Sequence, residues 1–170
     1  NSISVAEHAC ALMLALARSV PAADRAMKNG KWEKKKFLGT EVRGKTLGIA
    51  GLGRIGQEVA SRARAFGMRV VAHDPFIARE VAEGMGVELL TLDEVCGVAD
   101  FLTLHLPATA ETRHMLNDDR LSRVKPGIRI INTARGELID EAALRRALES
   151  GRVAAAGLDG PAALARWRAA

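Results

Sequence analysis

A chain of 170 residues, 48% apolar and 26% charged, has the composition of a folded domain, which excludes disorder along most of its length. The net charge of +5 suits an anionic partner. With no tyrosine, four phenylalanines and two tryptophans, the chain lacks the aromatic platform that sequence-tolerant binding of single strands requires.

The chain opens at Asn1 rather than methionine, so it is expected to be a piece of something longer. Ser4 and Glu7 have the spacing of a capping box and predict a helix over residues 4–19, stopped by Pro21. Cys10 lies within it, far from Cys96, and neither belongs to a C-x-x-C or Cys/His cluster; both read as buried free thiols of a reducing cytoplasm. The apolar residues Val5, Ala6, Ala9, Leu12, Met13 and Leu16 cover more than one stripe, so this helix needs cover from its own domain and from a second copy, as in a homodimer. Its apolar run, residues 9–17, is too short to span a bilayer and is flanked by Glu7 and Arg18, which argues against a membrane partner. Residues 27–45 form a polar, basic arm. The run Lys31-Trp32-Glu33-Lys34-Lys35-Lys36 reads either as a nucleic-acid contact or as a solvated arm, and the lack of a surrounding binding module favours the arm.

Beyond Gly44 the pattern becomes alternating strand and helix. Strands are expected at 46–51, 69–73, 87–90, 101–106, 128–133 and 153–158. Helices are expected at 54–66, 77–83, 118–124 and 141–149, with a further helix opened by a capping box of Thr91 and Glu94. This predicts an α/β protein: a Rossmann-type, doubly wound, parallel six-stranded sheet with helices on both faces. The expected organisation is a helix and arm (1–45) packed on the same domain, a dinucleotide-binding core (46–159), and a helical tail (160–170) with Pro161 at its first turn.

Gly51-Leu52-Gly53-Arg54-Ile55-Gly56 directly follows the first strand and opens a helix. A bare G-x-G-x-x-G is weak, because glycines punctuate many turns. Placed here, Gly51 permits the tight turn, Gly53 lets the backbone approach a pyrophosphate, and Gly56 allows close helix–strand packing. The helix N-terminus then faces the phosphates. Asp74 ends the second strand, 18 positions after Gly56, where a carboxylate accepts from the adenosine ribose hydroxyls and repels the phosphate of NADP. The plainer reading is a turn aspartate before Pro75. No basic residue directly follows Asp74, and the expected cofactor is NAD.

With these residues placed, the chain resembles the D-2-hydroxyacid dehydrogenases, and within them the D-3-phosphoglycerate dehydrogenases of serine biosynthesis. The resemblance runs through residues 1–159. It is carried by residues 2–18, the arm Met27-Lys28-Asn29-Gly30-Lys31-Trp32 with 34–39, the stretch 44–56, and His73-Asp74-Pro75. Leu104-His105-Leu106-Pro107, residues 132–136 and Ala156-Gly157-Leu158-Asp159 complete it. It implies an oxidoreductase that takes a hydride from a small carboxylate or phosphorylated hydroxyacid and passes it to NAD.

The resemblance also implies roles. Arg54 and Ile55 contact the pyrophosphate through their backbone, and His105, Leu106 and Pro107 line the adenine side, with Leu106 standing where relatives often carry threonine. Thr133 and Ala134 lie beside the nicotinamide, and Asp159 holds its carboxamide. Arg135 is the catalytic arginine, whose fork grips the substrate carboxylate and polarises the C2 oxygen; without the surrounding Asn132-Thr133-Ala134-Arg135-Gly136 it would read as a surface arginine. His8, His73 and His114 have no expected site role, and no spacing suggests a metal.

After Asp159 the chain departs from the family. The glutamate and acid–base histidine of relatives have no counterpart in Gly160-Pro161-Ala162-Ala163-Leu164-Ala165-Arg166-Trp167-Arg168-Ala169-Ala170. Two functional classes therefore stand at this stage: the cofactor domain of a dehydrogenase, inactive by itself, or a non-catalytic NAD-sensing scaffold such as the corepressors of the same superfamily.

Overall fold

The computed structural model describes residues 1–160; apart from Gly160, the expected helical tail lies outside the described residues. The chain order is α1 (Ser2–Ala17), α2 (Val20–Lys28), a 3-10 turn (Lys34–Phe37), β1 (Thr46–Ala50), α3 (Arg54–Ala65), β2 (Arg69–His73), α4 (Arg79–Gly84) and β3 (Glu88–Leu89). It continues with α5 (Leu92–Val98), β4 (Phe101–Leu104), α6 (Asp118–Arg123), β5 (Ile128–Asn132), a 3-10 turn (Gly136–Leu138), α7 (Glu141–Glu149) and β6 (Val153–Leu158). All strand pairs are parallel, in the order β3-β2-β1-β4-β5-β6, the doubly wound Rossmann-type sheet expected from the sequence.

Side chains alternate across each strand, so each central strand feeds two cores. Leu47, Ile49, Val70, Ala72, Phe101 and Ile131 pack with α1, α3 and α4 on one face. Ala50, Val71, Leu102, Leu104, Ile128 and Ile130 pack with α5, α6 and α7 on the other. At the centre of β1 stands Gly48, which the sequence reading passed over. A Cβ there would lie 2.6 Å from Val95 Cγ1 and 2.9 Å from Ala99 Cβ, so its absence is what lets α5 press onto the sheet.

Several local expectations change. The Ser4–Glu7 capping box is not formed: α1 begins at Ser2 behind Asn1, with no side-chain cap, and Glu7 instead faces Arg62 of α3 at 3.7 Å. The first helix ends at Ala17, just before the expected stop, and a second helix follows at once. Ser19 adopts a left-handed conformation (φ 54°), and Pro21 sits in the first turn of α2, where its missing N–H costs no helical bond. Residues 20–28, mostly ahead of the expected arm, are therefore a second helix, and α1 and α2 meet at 64°. No single helix among the described residues is long and apolar enough to cross a membrane. The Thr91–Glu94 box is formed: the Thr91 N–H donates to the Glu94 carboxylate (2.8 Å) and the Glu94 N–H donates to Thr91 Oγ1 (3.3 Å).

The first forty-five residues rest on the same sheet. Ala6, Ala9, Cys10, Met13 and Ala17 form the buried stripe of α1, which packs against α3 and against β5 and β6. The arm is tied back by the Thr40 N–H, which donates to the Ala17 carbonyl (2.7 Å), and by Arg129, which donates to Thr40 Oγ1 (3.3 Å) while lying over the Phe101 ring.

Candidate functional site

Between β1 and β4 the sheet reverses its winding: the chain leaves β1 toward β2 on one side and returns as β4 on the other. Loops after the two strands diverge there and open a crevice at the carboxyl edge. One register row crosses five strands at that edge, His73–Ala50–Leu104–Asn132–Leu158. The next residue on each strand is Asp74, Gly51, His105, Thr133 or Asp159. Five of the residues singled out from sequence thus form a second row, spanning four inter-strand spacings of ~4.8 Å each.

The three glycines of the loop differ in what they permit. Gly51 turns with φ +95°, donates its N–H to the His73 carbonyl (2.9 Å), and leaves no room for a Cβ, which would lie 2.6 Å from the His105 carbonyl oxygen. A Cβ on Gly56 would collide with the Gly51 carbonyl oxygen, so the bare α-carbon is what lets α3 sit against the turn. Gly53 is the opposite case. Nothing lies within 4 Å of where its Cβ would be, and it stands at the N-cap of α3 with no side chain to cap the first-turn N–H groups of Arg54, Ile55 and Gly56. That open, uncapped helix start is a cradle for an anion.

Asp74 braces this loop. One carboxylate oxygen accepts from the Leu52 N–H (2.7 Å) and the other from the Phe76 N–H (2.9 Å). A carboxylate offers about four lone-pair sites, so it retains capacity for further donors. Pro75 beside it is exposed.

His105 is half-buried, and desolvation pushes its imidazole down to about 4, leaving it neutral at physiological pH. Its Nε2 shares a hydrogen bond with Thr103 Oγ1 (3.0 Å), while its Nδ1 has no partner among the described residues. The Thr133 hydroxyl, on the neighbouring strand end, is likewise buried and unpartnered. Two orphaned polar atoms on adjacent strand ends are what a polar ligand would satisfy. Leu106 is half-buried and Pro107 exposed; the Pro107 carbonyl accepts from Thr112 Oγ1 (2.7 Å), which folds the following loop back.

Asn132 is the residue whose structural part the sequence reading missed. It is almost fully buried; its Nδ2 donates to the Arg135 carbonyl (2.8 Å), and its Oδ1 accepts from the Ala134 N–H (3.0 Å). Thr133, Ala134 and Arg135 are therefore wrapped around one amide, a local motif that asparagine favours where a strand ends in a turn. Arg135 itself is exposed, its guanidinium donating to the Ala134 carbonyl (2.9 Å). The Asp159 N–H donates to the Asn132 carbonyl (2.9 Å), fixing its backbone to β5. His8, read from sequence as a helix residue without a site role, stands with Nε2 3.6 Å from the Asp159 carboxylate. Among the described residues no group of three His, Cys, Asp or Glu side chains is placed to hold a metal ion.

The profile of the D-isomer specific 2-hydroxyacid dehydrogenase, NAD binding domain family matches residues 10–163. The chain belongs to that family. Its cofactor is accordingly NAD, and the uncapped helix start, the open Gly53 and the orphaned His105 and Thr133 atoms fit a polar dinucleotide lying along the carboxyl edge. The D-3-phosphoglycerate dehydrogenase of Rattus norvegicus is 52% identical over 159 residues, 94% of this chain and 30% of the rat protein. Among solved structures, the pyruvate reductase of Chlamydomonas reinhardtii is 40% identical with a TM-score of 0.89, covering 94% of this chain and 47% of that one. The D-lactate dehydrogenase of Aquifex aeolicus, complexed with NAD and lactic acid, is 39% identical with a TM-score of 0.88, over 94% of this chain and 48% of that one. The chain thus spans under a third of the length of the curated relatives it matches and about half that of the solved ones.

Proposed function

We propose that this NAD-binding domain serves a D-3-phosphoglycerate dehydrogenase, which oxidises 3-phosphoglycerate to 3-phosphohydroxypyruvate in serine biosynthesis. The observation that carries the reading is the row of Asp74, Gly51, His105, Thr133 and Asp159 across five adjacent strand ends, in a chain 52% identical to the rat enzyme.

Bound NAD supplies the hydride acceptor. The backbone N–H groups of Arg54 and Ile55, beside Gly51, Gly53 and Gly56, hold the pyrophosphate at the α3 start. Asp74 accepts from the adenosine ribose and disfavours NADP by charge, while Pro75, His105, Leu106 and Pro107 shape the adenine side. Thr133 and Ala134 flank the nicotinamide, and Asp159 accepts from its carboxamide. Arg135 grips the substrate carboxylate and polarises the C2 oxygen, which requires its exposed guanidinium to leave the Ala134 carbonyl.

Oxidation of a 2-hydroxyacid would also need a protein base for the hydroxyl proton. Each of the four histidines has another neighbour than Arg135: His8 faces Asp159, His73 meets the Leu90 carbonyl, half-buried His105 bonds Thr103, and His114 lies toward Asp140. Positioned acid–base catalysis contributes ~10²–10⁴-fold, so this 170-residue chain is expected to bind cofactor without useful turnover. The test mixes it with NAD and 3-phosphoglycerate and follows NADH absorbance beside a full-length relative. No NADH above background is expected; turnover within tenfold of the relative contradicts the assignment of Arg135 and its missing partner.

The same reading makes the enzyme a cytoplasmic homodimer whose partners are small phosphorylated or carboxylate metabolites, not nucleic acid or membrane. Both cysteines are free and buried, and Ile3, Val20, Met27, Trp32 and Leu38, all from α1, α2 and the arm, are exposed large apolar side chains that a second copy would cover.

A further inference from the structure

We infer that His8 sets how strongly the domain prefers oxidised over reduced cofactor, by tuning the charge that Asp159 presents to the nicotinamide. The inference rests on the nicotinamide placement proposed above.

The juxtaposition is built into the packing. Gly157 in β6 has no side chain, and the space is taken by α1: a Cβ there would lie 3.3 Å from both Leu12 Cβ and Leu16 Cδ1. His8 is one turn before Leu12 on the same helix face, a rise of ~6 Å. Asp159 is two residues beyond Gly157, a rise of ~6.6 Å along a strand. The two steps match, and His8 Nε2 arrives 3.6 Å from Asp159 Oδ2. Among the described residues His8 is the one ion-pair partner Asp159 has.

Other charges lie on the elements around the pair, and from α7 Glu141 lines the same depression as Asp159. Glu7 faces Arg62 of α3, which also holds Glu58. On α2, Asp24 pairs with Lys28, and Arg25 lies in the last turn. Arg129 of β5 lies over the Phe101 ring, and Arg135 donates to the Ala134 carbonyl. Cys10 is buried on α1, with its thiol raised by burial.

Histidine is the side chain that changes charge between about pH 5 and 8. When His8 is neutral, Asp159 offers a net negative charge; when His8 is protonated, the pair is neutral. The oxidised nicotinamide ring is a cation and the reduced ring is uncharged, so only the oxidised form feels the difference. Raising the pH therefore strengthens NAD relative to NADH. Because the side chains of His8 and Asp159 are 49% and 58% exposed, solvent limits the effect; about threefold is expected.

The test is calorimetric titration with NAD, NADH and ADP-ribose at pH 5.5 and 8.5, on the parent chain, His8→Gln and Asp159→Asn. In the parent the ratio of NADH to NAD dissociation constants should rise about threefold between the two pH values. In His8→Gln the ratio should be flat, with ADP-ribose affinity unchanged as the check on folding. A flat ratio in the parent, or the same rise in His8→Gln, overturns the inference. If Asp159→Asn also leaves NAD and NADH unchanged relative to ADP-ribose, the nicotinamide placement itself is wrong. If that variant does weaken NAD, only the role of His8 is lost.

Discussion

Gly53→Val is expected to abolish NAD binding while leaving the domain folded. The backbone at Gly53 has φ −69°, open to any residue, and nothing lies within 4 Å of its missing Cβ. Gly53 is, however, the N-cap of α3, a position where valine is disfavoured relative to glycine, so the substitution costs about 1 kcal/mol in stability, too little to unfold the domain. A branched side chain would nevertheless stand where the pyrophosphate must approach the backbone. Losing two charge-assisted hydrogen bonds of ~1.5 kcal/mol or more each weakens binding at least about 100-fold. Gly56→Ala should show the converse order of damage. Its Cβ is driven into the Gly51 carbonyl, so α3 or the turn must move, at a cost of ~1–3 kcal/mol in stability before any ligand is added. Thermal melts and calorimetry on the two variants separate the effects. A Gly53→Val protein that binds NAD like its parent would place the pyrophosphate elsewhere.

The second large effect concerns Asp74. In the parent, NAD should bind at least about 100-fold more tightly than NADP, because the carboxylate accepts from the ribose hydroxyls and repels a phosphate in the same place. Asp74→Asn removes the charge and turns one acceptor into a donor, so the Leu52 or the Phe76 N–H also loses its partner. NAD should weaken by about tenfold, roughly the value of one charged hydrogen bond. NADP should hold or improve, and the preference should shrink to within about tenfold. Titrations of both cofactors against both proteins give the ratio directly. A preference unchanged by the substitution would mean that Asp74 only braces the loop, and that the ribose lies away from it.

Much of this was legible in the residues because the chemistry is local. A glycine-rich turn between strand and helix, and an aspartate at the end of the next strand, can be placed without knowing any distant contact. The row across the sheet came from the strand order and register, which the sequence reading did not specify. The strand ends themselves were overrun: 46–51, 101–106 and 128–133 end at Ala50, Leu104 and Asn132. The residues just beyond them turn away from the ladder to make the site, and their side chains do not announce it. What escaped the sequence depended on tertiary neighbours. Ser4 and Glu7 match a capping box, but Arg62 on another helix faces Glu7. Gly48 looks like a weak strand residue until α5 is packed on it. His8 and Asp159 are far apart in sequence and meet only because α1 crosses the glycine in β6. Asn132 was the exception: a buried asparagine before a turn is a local signal, and it was available.

The dinucleotide is expected to lie along the carboxyl edge of the sheet, from Asp74 to Asp159. Heteronuclear NMR titration of isotopically labelled chain with NAD tests it most directly. The largest amide shifts are expected at Gly51, Leu52, Gly53, Arg54, Ile55 and Gly56, with further shifts at Asp74, His105, Thr133 and Asp159. The opposite edge, around Arg69, Glu83 and Glu88, lines a separate depression and should stay unmoved. Shifts concentrated at that depression, with the glycine loop silent, would place the dinucleotide away from the carboxyl edge.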